Sequence, residues 1–209
     1  MQIGNSTLTV NGNIVNNGTI LAASGSPSAA INFAGTAQQT VSGSGTWEIP
    51  GSGPNRFPIF TINNTSGSTP AVVLNHSLAL RNGLSLLTGT LGSGNSSTLT
   101  IGTGEPQTIN IYVGNGATPG GSIHSTLNVS HNLGLTTFNA YYQNLVPSAP
   151  YTTGKELPGL AATLPAAGTI TINNTHASGV TMGDDISTFG FTITNPATLV
   201  MNGKTLRIA

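Results

Sequence analysis

The chain has 209 residues, a net charge of zero and a charged fraction of 5%, against roughly 25% in an average globular domain. Its five basic residues, Arg56, Arg81, Lys155, Lys204 and Arg207, are scattered, which excludes the clustered basic footprint that nucleic acid requires, and no apolar run approaches the roughly 20 residues that span a bilayer. With no cysteine there is no disulfide and no thiolate metal site, and 28 glycines beside polar residues that are mostly Ser, Thr and Asn argue against long helices.

The first predicted strand is Thr7-Leu8-Thr9-Val10, followed by an Asn11-Gly12 turn, Ile14-Val15, Asn17-Gly18 and Ile20. Asn-Gly marks a turn because both residues tolerate positive φ. Next come Ile31-Asn32-Phe33, a Gly35 turn, Gln39-Thr40-Val41, and Trp47 after Gly43 and Gly45. A Pro- and Gly-rich loop covers 50–58. Phe60-Thr61-Ile62-Asn63-Asn64, Val72-Val73-Leu74, Leu78-Ala79-Leu80, Leu84-Ser85-Leu86 and Thr98-Leu99-Thr100-Ile101 then follow in close succession. Beyond a turn at 102–106 lies Ile109-Asn110-Ile111-Tyr112-Val113, and Ile123, Leu127 and Val129 continue the alternation after a second loop. The segment 139–165 breaks the style with Tyr141, Tyr142, Tyr151 and the prolines 147, 150, 158 and 165. It is expected to leave the regular structure as a Pro/Tyr-rich loop.

The opening of the central phrase then returns. Ile170-Thr171-Ile172-Asn173-Asn174-Thr175 repeats residues 60–65, and Val180, Met182, Ile186, Leu206 and Ile208 follow in the same order. The two copies, about 60–101 and 170–208, stand roughly 110 residues apart, with the drift that variable loops produce. In every phrase apolar residues alternate with Thr, Ser or Asn, so one face of each strand is apolar and the other polar. Strands this short cannot bury a face alone, whereas stacked copies of them can. The expected fold is therefore all-β: one right-handed parallel β-helix (β-solenoid) over 1–209, of about seven to nine coils at roughly 20–30 residues each, interrupted by the excursion at 139–165. The expected core is Leu8, Ile31, Phe33, Phe60, Ile62, Leu74, Leu78, Leu80, Leu99, Ile101, Ile170, Ile172, Met182, Leu206 and Ile208. Asn63-Asn64 and Asn173-Asn174 are expected to form Asn stacks at the corners.

Three stretches carry a resemblance: residues 8–20 (LTVNGNIVNNGTI), 31–46 (INFAGTAQQTVSGSGT) and 60–64 (FTINN). They resemble repeat regions of large secreted surface proteins of Bacteroidetes-type bacteria. The resemblance covers residues 8–208 apart from the excursion. It implies a β-solenoid in an extracellular adhesin or cell-surface fibre exported by the type IX pathway, and it supplies no catalytic residues. No leader segment is visible at Met1, so the chain reads as intracellular, as a mature form or as an excised fragment, and strand pattern running to both ends favours the fragment.

Chemistry is sparse. The acids are Glu48, Glu105, Glu156, Asp184 and Asp185, and a glycosidase of this architecture needs two converging carboxylates. Asp184 and Asp185 are adjacent, and neighbours in a continuing strand diverge; Asp184 also occupies the repeat position of His76, in a turn. If an enzyme, the protein would depend on Asp184 or Glu156, but the expectation is no enzyme, no cofactor and no metal. His76, His124, His131 and His176 lack the close pairing of zinc ligands. Thr-x-Thr at residues 7–9, 98–100, 169–171 and 192–194 suggests ice binding, yet Thr fills outward strand positions in any case.

Tyr141, Tyr142 and Tyr151 form the candidate contact with ligand or subunit, as an exposed aromatic cluster that stacks on sugars. A charge-poor chain with open strand edges favours association. The expected partners are copies of itself or flanking repeats, with surface glycans as a further candidate, and neither nucleic acid nor an inserted membrane. The expected role is an extended extracellular rod with an adhesion function; the alternatives are a carbohydrate-binding module or a polysaccharide-active enzyme.

Overall fold

The computed structural model describes residues 1–23, 28–47, 57–115, 118, 120–143, 151–194 and 196–209. Among these the protein is all-β, with no helix. Every strand pairing is parallel. Parallel neighbours cannot be joined by tight hairpins, so the chain must travel away and return between them.

The dominant sheet has eight strands, and their spatial order is their chain order. They are Thr7–Val10, Ala30–Phe33, Ile59–Asn63, Gly83–Thr88, Thr108–Val113, Thr137–Gln143, Ile170–Asn173 and Phe191–Ile193. Between successive members the chain visits shorter sheets. Ile14–Val15, Gln39–Ser42, Val72–Leu74, Thr90–Ser93 and Ser122–Ile123 make a five-stranded sheet, and Leu78–Leu80, Thr98–Ile101 and Asn128–His131 a three-stranded one. Further along, Tyr151–Thr152, Val180–Thr181 and Leu199–Val200 form another three-stranded sheet, and Ile186–Thr188 pairs with Leu206–Ile208. Gln2–Ile3 pairs with Leu21–Ala22.

Register turns the alternation into columns. Leu8, Ile31, Phe60, Leu84, Ile111, Ala140, Ile170 and Phe191 stand directly over one another, and so do Val10, Phe33, Ile62, Leu86, Val113, Tyr142, Ile172 and Ile193. All the inner members of both columns are buried. A shift between Leu86 and Thr88 is the one irregularity in these ladders. Phe60 meets Phe33, Trp47 and Phe57 at ring-centroid distances of 5.6, 5.2 and 5.6 Å, which fills one end of the core with aromatic contacts.

Of the expected core, Ile31, Phe33, Phe60, Ile62, Leu74, Leu78, Leu80, Leu99, Ile101, Ile170, Ile172 and Met182 are buried. Leu8 and Leu206 lie on outermost strands and are half-buried against that core. Ile208 is 55% exposed, a correction: it sits on the outermost strand of its sheet, with no strand stacked beyond it.

The excursion is narrower than 139–165. Residues 139–143 belong to the long sheet, where Thr137–Gln143 keeps six residues in register with the preceding strand. Alternation of Phe138, Ala140 and Tyr142 with polar or outward residues is ordinary strand chemistry, and the first two prolines come only afterwards, at 147 and 150. Those two positions lie outside the described residues. The corner asparagines also differ from expectation. Asn64 and Asn174 are buried, but each accepts a hydrogen bond from the amide two residues on, Ser66 and His176, instead of stacking on another asparagine. Asn16 does the same with Gly18. Such Asx turns satisfy a corner locally. An Asn–Asn contact forms on the outward face, where Asn139 Nδ2 donates to Asn110 Oδ1 at 3.1 Å.

Candidate functional site

The three tyrosines do not form one exposed platform. Tyr141 points outward and stacks on Tyr112, one strand below, with centroids 5.0 Å apart and planes at 14°. Each ring covers one face of the other. Tyr142 has the opposite parity, is fully buried, and takes a column position between Val113 and Ile172. Tyr151 is buried too, 5.4 Å from Tyr142 between centroids, and its hydroxyl donates to the Gly121 carbonyl at 2.8 Å. Burial pushes both phenols well above their ordinary pKa, with the nearby Glu156 adding to it.

The inward tyrosines lead to a feature of more chemical interest. A tyrosine in an aliphatic column is long enough to carry its hydroxyl across the core, where the Tyr142 OH donates to Glu156 Oε1 at 2.8 Å. The Gly154 amide donates to the same oxygen at 2.9 Å. Glu156 is fully buried, and its Oε2 has no hydrogen-bond partner. Burial raises the Glu156 pKa above its ordinary 4.5, the hydrogen bonds from Gly154 and Tyr142 oppose the rise, and the negative charge of Asp184 adds to it. A carboxyl so placed favours the protonated form.

His131 completes the group. Its strand puts it in register with Ile101 and Leu80, at a position that is apolar in both. The ring is half-buried, packs edge-on against Phe138 and lies with Nε2 3.4 Å from the Glu156 carbonyl oxygen. Burial lowers its pKa to about 4, against a smaller upward pull from that carbonyl, so the imidazole is neutral at neutral pH.

Outside this group lies a hollow of about 550 Å³ whose walls include His131, Gly154, Lys155, Leu157, Asp184 and Asp185. Lys155 Nζ donates to the Ser125 and Leu127 carbonyls at 2.8 and 2.7 Å, which ties its segment to the preceding turn. Asp184 and Asp185 fall between Val180–Thr181 and Ile186–Thr188, where no strand continues, so both reach the same hollow. The divergence expected of strand neighbours does not apply to them. Asp185 Oδ1 accepts from the Thr205 amide at 2.8 Å, while Asp184 is exposed.

The remaining candidates stay apart. Among the described residues no three of His, Asp or Glu are arranged to hold a metal ion. His124 and His176 cap their own turns through Nδ1, toward Thr126 and Ser178. Glu105 pairs with Arg81 at 3.1 Å, and Glu48 lies outside the described residues. The outward column of the long sheet runs Thr9, Asn32, Thr61, Ser85, Tyr112, Tyr141, Thr171, Thr192, so the tyrosine pair interrupts any continuous threonine array. Among the described residues no helix is long and apolar enough to cross a membrane. Comparison with protein-family models, curated proteins and solved structures finds no match.

Proposed function

We propose that this chain is a right-handed parallel β-helix of eight windings, a structural segment of an extracellular surface fibre with an adhesion role. Its ends pair with copies of itself or with flanking repeats. Support for the winding comes from the eight in-register strands in chain order, with the chain passing through other parallel sheets between them. At roughly 4.8 Å per strand step, seven steps give a rod of about 34 Å.

The observation that carries the functional reading lies at the two edges of the long sheet. Thr7–Val10 and Phe191–Ile193 each have one neighbour in the sheet, so each leaves a row of backbone groups available for another strand. Both interior columns end there in half-buried or exposed apolar residues: Leu8 and Val10 at one edge, Phe191 and Ile193 at the other, with Ile193 46% exposed. Stacking another strand on either edge buries those side chains and continues the ladder. Contacts of this head-to-tail kind extend without closing.

The test is negative-stain microscopy with sedimentation velocity on the purified chain and on Ile193→Lys. The wild type is expected to form rods longer than one copy at high concentration. Because Ile193 is already half exposed, the lysine should cost folding less than about 1 kcal/mol while placing a charge in the stacking surface. Monomeric wild type, or unchanged assembly in the variant, overturns self-stacking.

A further inference from the structure

We propose that the free face of the Tyr141 ring binds a pyranose unit of an uncharged glycan. The geometry starts from the stacked pair. Tyr112 covers one face of the Tyr141 ring, with centroids 5.0 Å apart and planes at 14°. In their outward column the order is Ser85, Tyr112, Tyr141, Thr171. The other face of Tyr141 therefore turns toward Thr171, whose side chain is far shorter than a tyrosine and does not reach across the ring. Tyr141 is half-buried, so part of that face meets solvent.

The groups beside that face have hydrogen bonds to give. Gln143 and Asn173 stand in register on the same outward side, one position along from Tyr141 and Thr171. Among the described residues the side chains of Gln143, Thr171 and Asn173 make no hydrogen bond. The opposite flank is committed: Asn139 donates to Asn110 Oδ1 and accepts from the Thr169 amide, both at 3.1 Å. Tyr112 thus backs the ring, the asparagines anchor its strand, and the uncommitted groups lie together on one side. A ring held this way has little freedom left to lose on binding.

Charge selects the class of ligand. None of the eight strands of the long sheet contains a charged residue, so nothing on this face favours an anionic or cationic sugar. A pyranose lays an apolar C–H face on an aromatic ring and surrounds it with hydroxyls, which pair with two amides and a hydroxyl as both donors and acceptors. A peptide strand would need an open sheet edge, whereas Tyr141 lies on an inner strand with neighbours on both sides. One such face binds weakly, and repetition along a rod multiplies it by avidity. The inference rests on the adhesion role proposed above, to which it gives a ligand, and makes no use of end-to-end contacts.

The experiment is NMR and calorimetric titration of the intact chain with cellohexaose, laminarihexaose and mannohexaose. The comparison probes are an oligogalacturonate, a chitosan oligosaccharide and hexaproline, since proline-rich segments also dock on aromatic rings. At least one neutral sugar is expected to bind, independently of salt, with amide shifts at 141–143 and 171–173. Tyr141→Ala should weaken binding about twofold to tenfold, the range for one aromatic contact, and Tyr141→Phe should retain it. Thr171→Tyr extends the stack over the free face and should abolish binding, while Ser85→Tyr, which covers the far face of Tyr112, should leave it unchanged. Both positions are half-buried on the outward side, so both variants fold. Sedimentation of the same samples reads stacking separately. Absence of binding by all three neutral sugars at about 10 mM, tighter binding of a charged probe or of hexaproline, or indifference to Thr171→Tyr overturns the proposal whether or not rods form. Sugar binding without rods upholds it and overturns end-to-end stacking instead.

Discussion

Replacing Glu156 with Gln tests the buried carboxyl directly. The folded pKa of Glu156 is raised above 4.5, first by burial and last by the charge of Asp184. In the unfolded chain the group ionises near its ordinary value. Its contribution to stability is therefore complete below about pH 4.5 and is lost as pH rises through the raised folded value, after which the loss is constant. One group can change stability by at most about 1.4 kcal/mol per pH unit inside that window. For a domain of this size 1 kcal/mol moves Tm by about 2–4 °C, so the steepest part of the curve should fall about 3–5 °C per pH unit. Glutamine keeps the shape, can accept from Tyr142 and Gly154 through its amide oxygen, and does not titrate. Tyr142 and Tyr151, whose phenols Glu156 helps push well above their ordinary pKa, stay protonated through this pH range in both proteins. Thermal melts from pH 4 to 9 at constant ionic strength should show the wild type losing stability relative to Glu156→Gln as pH rises, to a plateau. Parallel curves across that range would show that the carboxyl is not desolvated as the structure places it.

Two further outcomes follow from single positions. His131 has the opposite sign: its pKa is lowered to about 4, so its contribution is present above about pH 6.5 and is lost as pH falls through 4. The full shift corresponds to about 3 kcal/mol, and less is expected because the ring is only half-buried; His131→Leu, which restores the apolar column of Leu80 and Ile101, should flatten the acid limb of the melting curve. At Gly168 (φ +122°) an added Cβ would lie 1.9 Å from the Phe138 carbonyl oxygen, so Gly168→Ala should cost about 3 kcal/mol or more in chemical denaturation. Gly67→Ala, also at positive φ but with nothing within 4 Å, should cost about 1 kcal/mol.

The apolar columns were legible because period-two alternation depends on residue type alone. Leu8, Ile31, Phe60 and Ile170 could be read as inward residues without knowing what they pack on. Tyr142 carries the same signal: it shares parity with Phe138 and Ala140, both fully buried, and parity alone places it inward. Tyr141, its neighbour, takes the opposite face, so the two cannot share one aromatic patch. Tyr151 offered no comparable signal, because residues 144–150 separate it from the last regular strand. Glu156 was not legible for a different reason. A carboxyl is placed outside by default, and its burial here depends on a hydroxyl from a segment 14 residues earlier. Asp184 and Asp185 were legible as a corner, because Asp184 takes the turn position that His76 holds in the first copy, and no strand runs through 182–185.

Placing this polar group beside one strand of the long sheet has an energetic logic. In a stacked array each layer is stabilised mainly by its neighbours, so one layer can hold an unfavourable group while those beside it hold the register. The neighbours on either side of Tyr142 in its column are Val113 and Ile172, both fully buried, and the ladder through that strand keeps six residues in register on one side and four on the other. The cost of the unpaired Glu156 oxygen is thus confined to a segment anchored independently by Lys155 to the preceding turn. A compact domain with one shared core would spread that cost over every element. In a stack of parallel strands it stays local.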